Sequence, residues 1–399
     1  MFSVSEQIIP YFITLVLVSF YASHLLYTAI LKSNKNKWAF LYIPAEKSPT
    51  NARLLGGLGT ALSILISFSF MLIINSITPF LQTNDLLILK VAIPSVILLT
   101  LSGYIDDRYE LRARYKLFFQ FLSVGTFAFI STQIYAHNHA WLVFTISIFV
   151  GFALINGANL LDGLDSMSIK IGSVISFGFL FLAYKTGSAT LSSLSVATLA
   201  SLGSFYFFGR EPAKIYMGEI GGSLLGFLYY VQAIIAYGEL NKYGNGYESA
   251  SWVIIVCALP VFELAISFAR RIIMGKSPFR GDKLHLHHIL KLNYKLSATT
   301  TSDLISGTLF LISTTGFLFS AFASPILGAL IVLSLLLGTY LKICLHDWMK
   351  IQNSFNQKNL FLLFEDKPVY VVNSDLFKAV SLNMPVSSDS LTKKKKQAA

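Results

Sequence analysis

The chain has 399 residues, of which 54% are hydrophobic and 13% are Asp, Glu, Lys or Arg, and its formal net charge is +11. So much apolar surface excludes a single water-soluble core of this length and points to a polytopic membrane protein. Cys257 and Cys344 supply no disulfide framework and read as small hydrophobes.

In chain order, eleven apolar runs of spanning length are predicted. They cover 8–31, 56–80, 86–104, 117–136, 140–158, 168–185, 189–208, 220–238, 251–269, 302–322 and 325–344. The first is long enough to span and lacks a basic stretch before it, so it reads as a membrane helix and not a cleaved leader. The expected fold class is an all-α integral membrane protein with about eleven transmembrane helices. Residues 1–345 would form one polytopic transmembrane domain, to which any catalysis would belong, and 346–399 a cytoplasmic tail.

The basic residues are unevenly shared. Loops 32–55, 105–116, 209–219 and 270–301, with the tail from 345, hold 26 of the 31 Lys and Arg. The positive-inside rule then places the N-terminus outside and the C-terminus in the cytoplasm. The same distribution accounts for the excess charge, so no nucleic-acid partner is expected. The run Lys393–Lys396 reads as a solvated or lipid-touching segment.

The remaining polar residues gather in four stretches on the basic side. Asp106 and Asp107 end the third span. Adjacent carboxylates repel unless a cation compensates, and Mg²⁺ takes hard oxygen ligands and often shares its shell with phosphates. A solvated helix end with Arg108, Arg112 and Arg114 as partners is the bland alternative. Asn159, Asp162 and Asp165 recur every three residues, which on a continuous helix gives one polar stripe. Asp162-Gly163 is also a common turn dipeptide, so a simple loop competes with that reading.

Lys214–Glu219 and Gly221-Gly222 open the eighth span, where a helix N-terminus favours an anion. Three histidines, His285, His287 and His288, follow Arg280 and Asp282 in the longest basic loop. They fit either a transition-metal site or phosphate binding beside Arg280 and Lys283, against the alternative of a solvated loop.

Together these stretches resemble the polyprenyl-phosphate N-acetylhexosamine-1-phosphate transferase family, over roughly residues 45–295. Pro49-Thr50 with Gly56-Gly57 looks like its Pro-Thr…Gly-Gly loop. Asp106-Asp107 with Ala113-Arg-Tyr-Lys116 is similar to its Asp-Asp…Ala-Arg-x-Lys segment. Asn156–Asp165 and Tyr216-Met-Gly-Glu219 match two further motifs in order. The Ser277–His288 loop is similar to that of the undecaprenyl-phosphate N-acetylglucosamine-1-phosphate branch. The chain departs from the pattern at Glu219, where the family usually has Asp, at Glu263, again for Asp, at Gly209 for Asn, and at Ser166, where a second Gly is usual.

The resemblance implies transfer of a HexNAc-1-phosphate from a UDP-N-acetylhexosamine to polyprenyl phosphate, with GlcNAc the expected sugar and a deoxy-HexNAc the alternative. From other classes, a membrane transporter or an inactive scaffold competes. Mg²⁺ is the expected cofactor, with Mn²⁺ as its substitute. Glu219, Asp106 and Asp107 are the expected metal ligands. Asp106, Asp107, Asp162 and His285 are the expected catalytic residues. Lys116, Asn159, Asp165, Arg280, His287 and His288 are expected to bind substrate. The expected location is the bacterial plasma membrane, with the site on its cytoplasmic face among membrane lipids. A homodimer is left open.

Overall fold

Eleven helices among the described residues are long and apolar enough to cross a membrane. The computed structural model describes residues 4–45, 52–135, 140–273, 275, 277–279 and 284–345. The helices are α1 (Val4–Lys32), α2 (Gly56–Ile77), α3 (Thr83–Tyr109), α4 (Ala113–Tyr135), α5 (Ala140–Leu160), α6 (Met167–Thr186), α7 (Ala189–Gly209), α8 (Gly218–Leu240), α9 (Gly246–Ile273), α10 (Leu286–Asn293), α11 (Ala298–Phe322) and α12 (Pro325–Tyr340). All but α10 are span candidates. The protein is therefore an all-α, multi-pass membrane protein, and its spans follow the apolar runs of the sequence. The tail beyond 345, Pro49-Thr50, Arg280, Asp282 and Lys283 lie outside the described residues.

α8 is the hub. In its most apolar stretch 89% is buried, against 17% in α1. It packs against α2, α3, α5, α6, α7 and α9. Lipid tails are as apolar as Leu, so close backbone contact must replace hydrophobic drive between membrane helices. The glycines of α8 permit it: a Cβ at Gly226 would lie 2.4 Å from the Ile155 Cα of α5. Polar ties add register, since Ser195 of α7 donates to Gln232 of α8 at 2.9 Å.

Polar residues collect at the two ends of the bundle. At one end Tyr135 donates to Asp85 at 3.0 Å and Lys242 pairs with Glu239 at 2.6 Å. The other end carries Asp106, Asp107, Lys116, Asn159 and Glu219.

Three features refine the sequence reading. α3 continues past the predicted limit at 104 to Tyr109, so Asp106 and Asp107 end the third span as expected, within its last turns. α5 stops at Leu160, so the helical stripe expected through Asp165 does not form. Asn159 stays on the helix, while Asp162 and Asp165 sit on the following loop. The cause is local: the Leu161 N–H is shared between the Gly157 and Ala158 carbonyls, which tightens the last turn ahead of Asp162-Gly163. Third, the histidine loop contains the short helix α10.

Candidate functional site

The ends of α3 and α5 and the starts of α4 and α8 build the site. α3 ends when Glu110 adopts a left-handed φ of 50°, and α4 then returns antiparallel from Ala113. This hairpin sets Lys116, on the first turn of α4, against the last turns of α3. The Lys116 ammonium lies 2.5 Å from Asp106 Oδ2 and 3.3 Å from Glu219 Oε2. Asp106 is 5% exposed, and its other oxygen accepts the Leu111 N–H at 2.6 Å. A buried carboxylate with both oxygens engaged avoids the cost of an unpaired charge. The partner is Lys116, not the arginines of the bland alternative. Arg108 instead donates to Tyr104.

Asp107 faces the start of α8. Its Oδ1 accepts the Glu219 N–H at 2.9 Å and its Oδ2 the Ile220 N–H at 3.4 Å. The helix N-terminus that could hold an external anion therefore already holds one from the chain. Gly218 makes this approach feasible: its φ is +70°, and a Cβ there would lie 2.7 Å from the Asp107 carboxylate.

The loop ahead of α8 is pinned by the loop ahead of α2. Arg53 N–H donates to the Lys214 carbonyl, Tyr216 N–H to the Arg53 carbonyl, and Gly56 and Gly57 N–H groups to Tyr216 and Met217 carbonyls, all at 2.7–3.0 Å. The backbone of the Gly56-Gly57 motif thus fixes where Glu219 begins its helix.

Asn159 completes the cluster, donating to Glu219 Oε2 at 2.8 Å. Asn156, three residues earlier, turns inward and pairs with Gln120 of α4. Asp165 accepts the Ala213 N–H at 3.0 Å, tying the loop after α5 to the loop before α8. Burial pushes the Asp162 carboxyl up to about 8, against the pull of its Ser168 hydrogen bond, and the charges of Glu219 and Asp107 add to the rise.

These groups surround a cavity of about 640 Å³, lined among others by Asp107, Asn159, Asp162, Asp165, Glu219 and Lys291. Sequence reading missed Lys291 and also Glu211, which lines the same wall. Lys291 comes from α10, a helix too short to carry a periodicity signal. Glu211 accepts from both the N–H and the hydroxyl of Thr299, and those bonds hold its carboxyl below the usual range.

The histidines stand behind this wall. His285 Nδ1 lies 2.9 Å from Glu263 Oε1 of α9, and Tyr340 donates to Glu263 Oε2 at 2.5 Å. His287 is 1% exposed, and among the described residues neither of its ring nitrogens has a hydrogen-bond partner. Burial holds its pKa well below the ordinary histidine value, with His288 and His285 adding to the drop. Its ring abuts Gly163, where a Cβ would lie 2.0 Å from Nε2. His288 is half-buried, with its ring 4.1 Å from that of His287. Among the described residues no histidine lines the cavity itself.

The donor set at the cluster is carboxylate and amide oxygen, which suits a hard cation. Among the described residues no group of three or more His, Cys, Asp or Glu side chains is placed to hold a metal ion. Mg²⁺ that shares its shell with substrate phosphates needs only one or two protein carboxylates, and Asp106 and Glu219 already converge on the Lys116 cation. The residues present fit such an ion.

Comparison with known proteins agrees with the motifs. Residues 88–237 match the model of glycosyl transferase family 4. A probable undecaprenyl-phosphate N-acetylglucosaminyl 1-phosphate transferase of Bacillus subtilis is 27% identical over 64% of this chain and 71% of its own length. An undecaprenyl-phosphate alpha-N-acetylglucosaminyl 1-phosphate transferase of Yersinia pestis is 27% identical over 48% of this chain and 56% of its own. A phospho-N-acetylmuramoyl-pentapeptide-transferase of Shouchella clausii is 27% identical over 59% of this chain and 74% of its own. The resemblance drawn from the motifs is thus borne out.

Proposed function

On the strength of that family likeness, we propose that this chain transfers a HexNAc-1-phosphate from a UDP-sugar to polyprenyl phosphate at the cytoplasmic membrane surface, with GlcNAc the preferred sugar. The observation that carries the proposal is the convergence of Asp106, Asp107, Lys116, Asn159 and Glu219 beside one cavity at one end of the bundle. The asymmetry of Lys and Arg supports a cytoplasmic position for that end. A transporter would need charges along a path through the bundle, whereas these cluster at its end.

In the reaction a lipid phosphate oxygen attacks the β-phosphorus of the UDP-sugar. The bond from that phosphorus to the bridging oxygen breaks, and UMP leaves with the electron pair. A phosphate monoester has a second pKa of about 6, so at neutral pH the acceptor is largely ionised and needs no strong base. What limits the step is repulsion between anions. Glu219 and Asp106 would hold Mg²⁺, which supplies charge neutralisation when bound. Lys116 adds a fixed positive charge beside them. Asp107 locks the first turn of α8, and with it the Glu219 backbone, in one position. Asn159 orients the Glu219 carboxylate through its amide. Asp162, protonated at neutral pH, offers a hydrogen-bond donor to the cavity. Lys291, in the cavity lining, would offer a second cation to a pyrophosphate.

Purified protein with radiolabelled UDP-GlcNAc and polyprenyl phosphate tests this. Label transferred to lipid, lost in Asp107→Asn and in Asp162→Ala, is the expected result. Full transfer in both variants would sink the site assignment, and no transfer by the parent chain from any UDP-HexNAc would sink the activity.

A further inference from the structure

We propose that a second cavity, beside the first, binds the phosphate headgroup of an anionic membrane phospholipid. It has a volume of about 390 Å³ and is framed by the start of α6, the end of α7, the loop before α8 and the start of α11. Lys170, Arg210 and Lys214 line it, together with Tyr206 and Phe207.

The sign of its charge sets it apart. The first cavity is lined by Asp107, Asp162, Asp165, Glu211 and Glu219 against Lys291. The second has three cations against Glu211 alone, and the two cavities share the wall Glu211-Pro212. Lys170 is partly neutralised, since its ammonium pairs with Asp303 at 2.7 Å. Arg210 and Lys214 are exposed, and among the described residues neither makes an ion pair. Arg210 leans over the Tyr206 ring at 5.8 Å, which leaves its planar fork of donors open to an oxyanion.

The aromatic pair favours a lipid over a free phosphate. Tyr206 and Phe207 are 40% and 54% exposed on the last turns of α7, directly before the cations. Exposed aromatics one turn from a span end sit at headgroup level, and basic pockets between spans take anionic headgroups there. The acceptor lipid fits the second cavity less well. Its phosphate must reach Asp107 and Glu219, neither of which lines this space.

The test uses the intact protein in phosphatidylcholine nanodiscs, titrated with phosphatidylglycerol and read by native mass spectrometry and by thermal unfolding. Phosphatidylglycerol should be retained and should raise Tm. The double variant Arg210→Gln/Lys214→Gln should weaken retention at least tenfold and abolish the Tm rise. UMP binding should be the same in both proteins, because neither residue lines the first cavity. Equal phosphatidylglycerol retention in parent and variant would overturn the proposal. So would retention of polyprenyl phosphate alone, which would give the pocket to the acceptor. Weakened UMP binding with unchanged lipid retention would give it to the nucleotide and overturn it too. None of these readouts depends on turnover, so failure here is distinct from failure of the proposed activity.

Discussion

Asp107 on α3 accepts the backbone N–H of Glu219, the second residue of α8, at 2.9 Å. A side chain that reads as a catalytic carboxylate is thus also the cap of the central helix. Asn keeps an acceptor for the Glu219 N–H, gives up the weaker 3.4 Å bond from the Ile220 N–H and loses the charge. Asp107→Asn should therefore cost no more than about 1 kcal/mol of stability, while turnover falls by about 10²–10³-fold. Thermal unfolding and transfer assays on the same sample separate the two effects. A variant that unfolds outright would show that the cap dominates.

Glu219 stands where related chains usually carry Asp, and the structure shows what its extra methylene reaches. Oε2 accepts from Asn159 at 2.8 Å and meets Lys116 at 3.3 Å. Glu219→Asp shortens the arm and should break at least one of these contacts. The expected outcome is a fall in kcat of about tenfold, the equivalent of one lost hydrogen bond to a charged group, with Tm little changed. A large gain in turnover would mean that the native glutamate compromises the site.

Lys116 occupies ground that a divalent cation also favours, between Asp106 and Glu219. In Lys116→Met the competing ammonium is gone, so Mg²⁺ should bind more tightly by calorimetry while transfer falls at least tenfold, because a fixed charge beside the transferring phosphoryl is lost. Weaker Mg²⁺ binding in the variant would place the ion elsewhere.

Asp162 makes stability depend on pH. The native carboxyl holds its proton up to about 8, whereas the unfolded chain releases it near 3.8. Between those values the native state binds more protons, so the sign of linkage is negative and stability falls as pH rises through the window. In metal-free buffer, Tm should decline from about pH 4 to about pH 8. Asp162→Asn should flatten that decline. An unchanged slope in the variant would assign it to another group.

Ser166 adopts a φ of 61°, in the left-handed region that glycine enters without strain. The usual Gly of the related motif now has a physical reason. Ser166→Gly should stabilise the protein by roughly 1 kcal/mol, measured as a rise in Tm with no loss of transfer.

Much of this was legible from sequence for a simple reason. Spans are written in long apolar runs, and their bounds shift by only a few residues when built. Asp106, Asp107, Lys116, Asn159 and Glu219 were also visible, because charges at span ends are costly without a task. Three things were hidden. The expected stripe from Asn159 to Asp165 assumed a continuous helix, and the turn at Leu161 is set by backbone bonds that no side-chain period reports. Lys291 and Glu211 reach the cavity wall only through tertiary placement. The bond between Glu263 and His285 joins residues 22 positions apart across a loop, with no local pattern to announce it.

That last bond has a partner in the final span. Tyr340, near the end of α12, donates to the same Glu263 carboxylate that meets His285. Order of synthesis then matters. Glu263 and His285 leave the ribosome well before Tyr340, so the carboxylate gains its Tyr340 hydrogen bond only after α12 has been made. The histidine segment behind the cavity thereby receives one of its ties late, and a nascent chain still being inserted lacks the Tyr340 anchor of that wall.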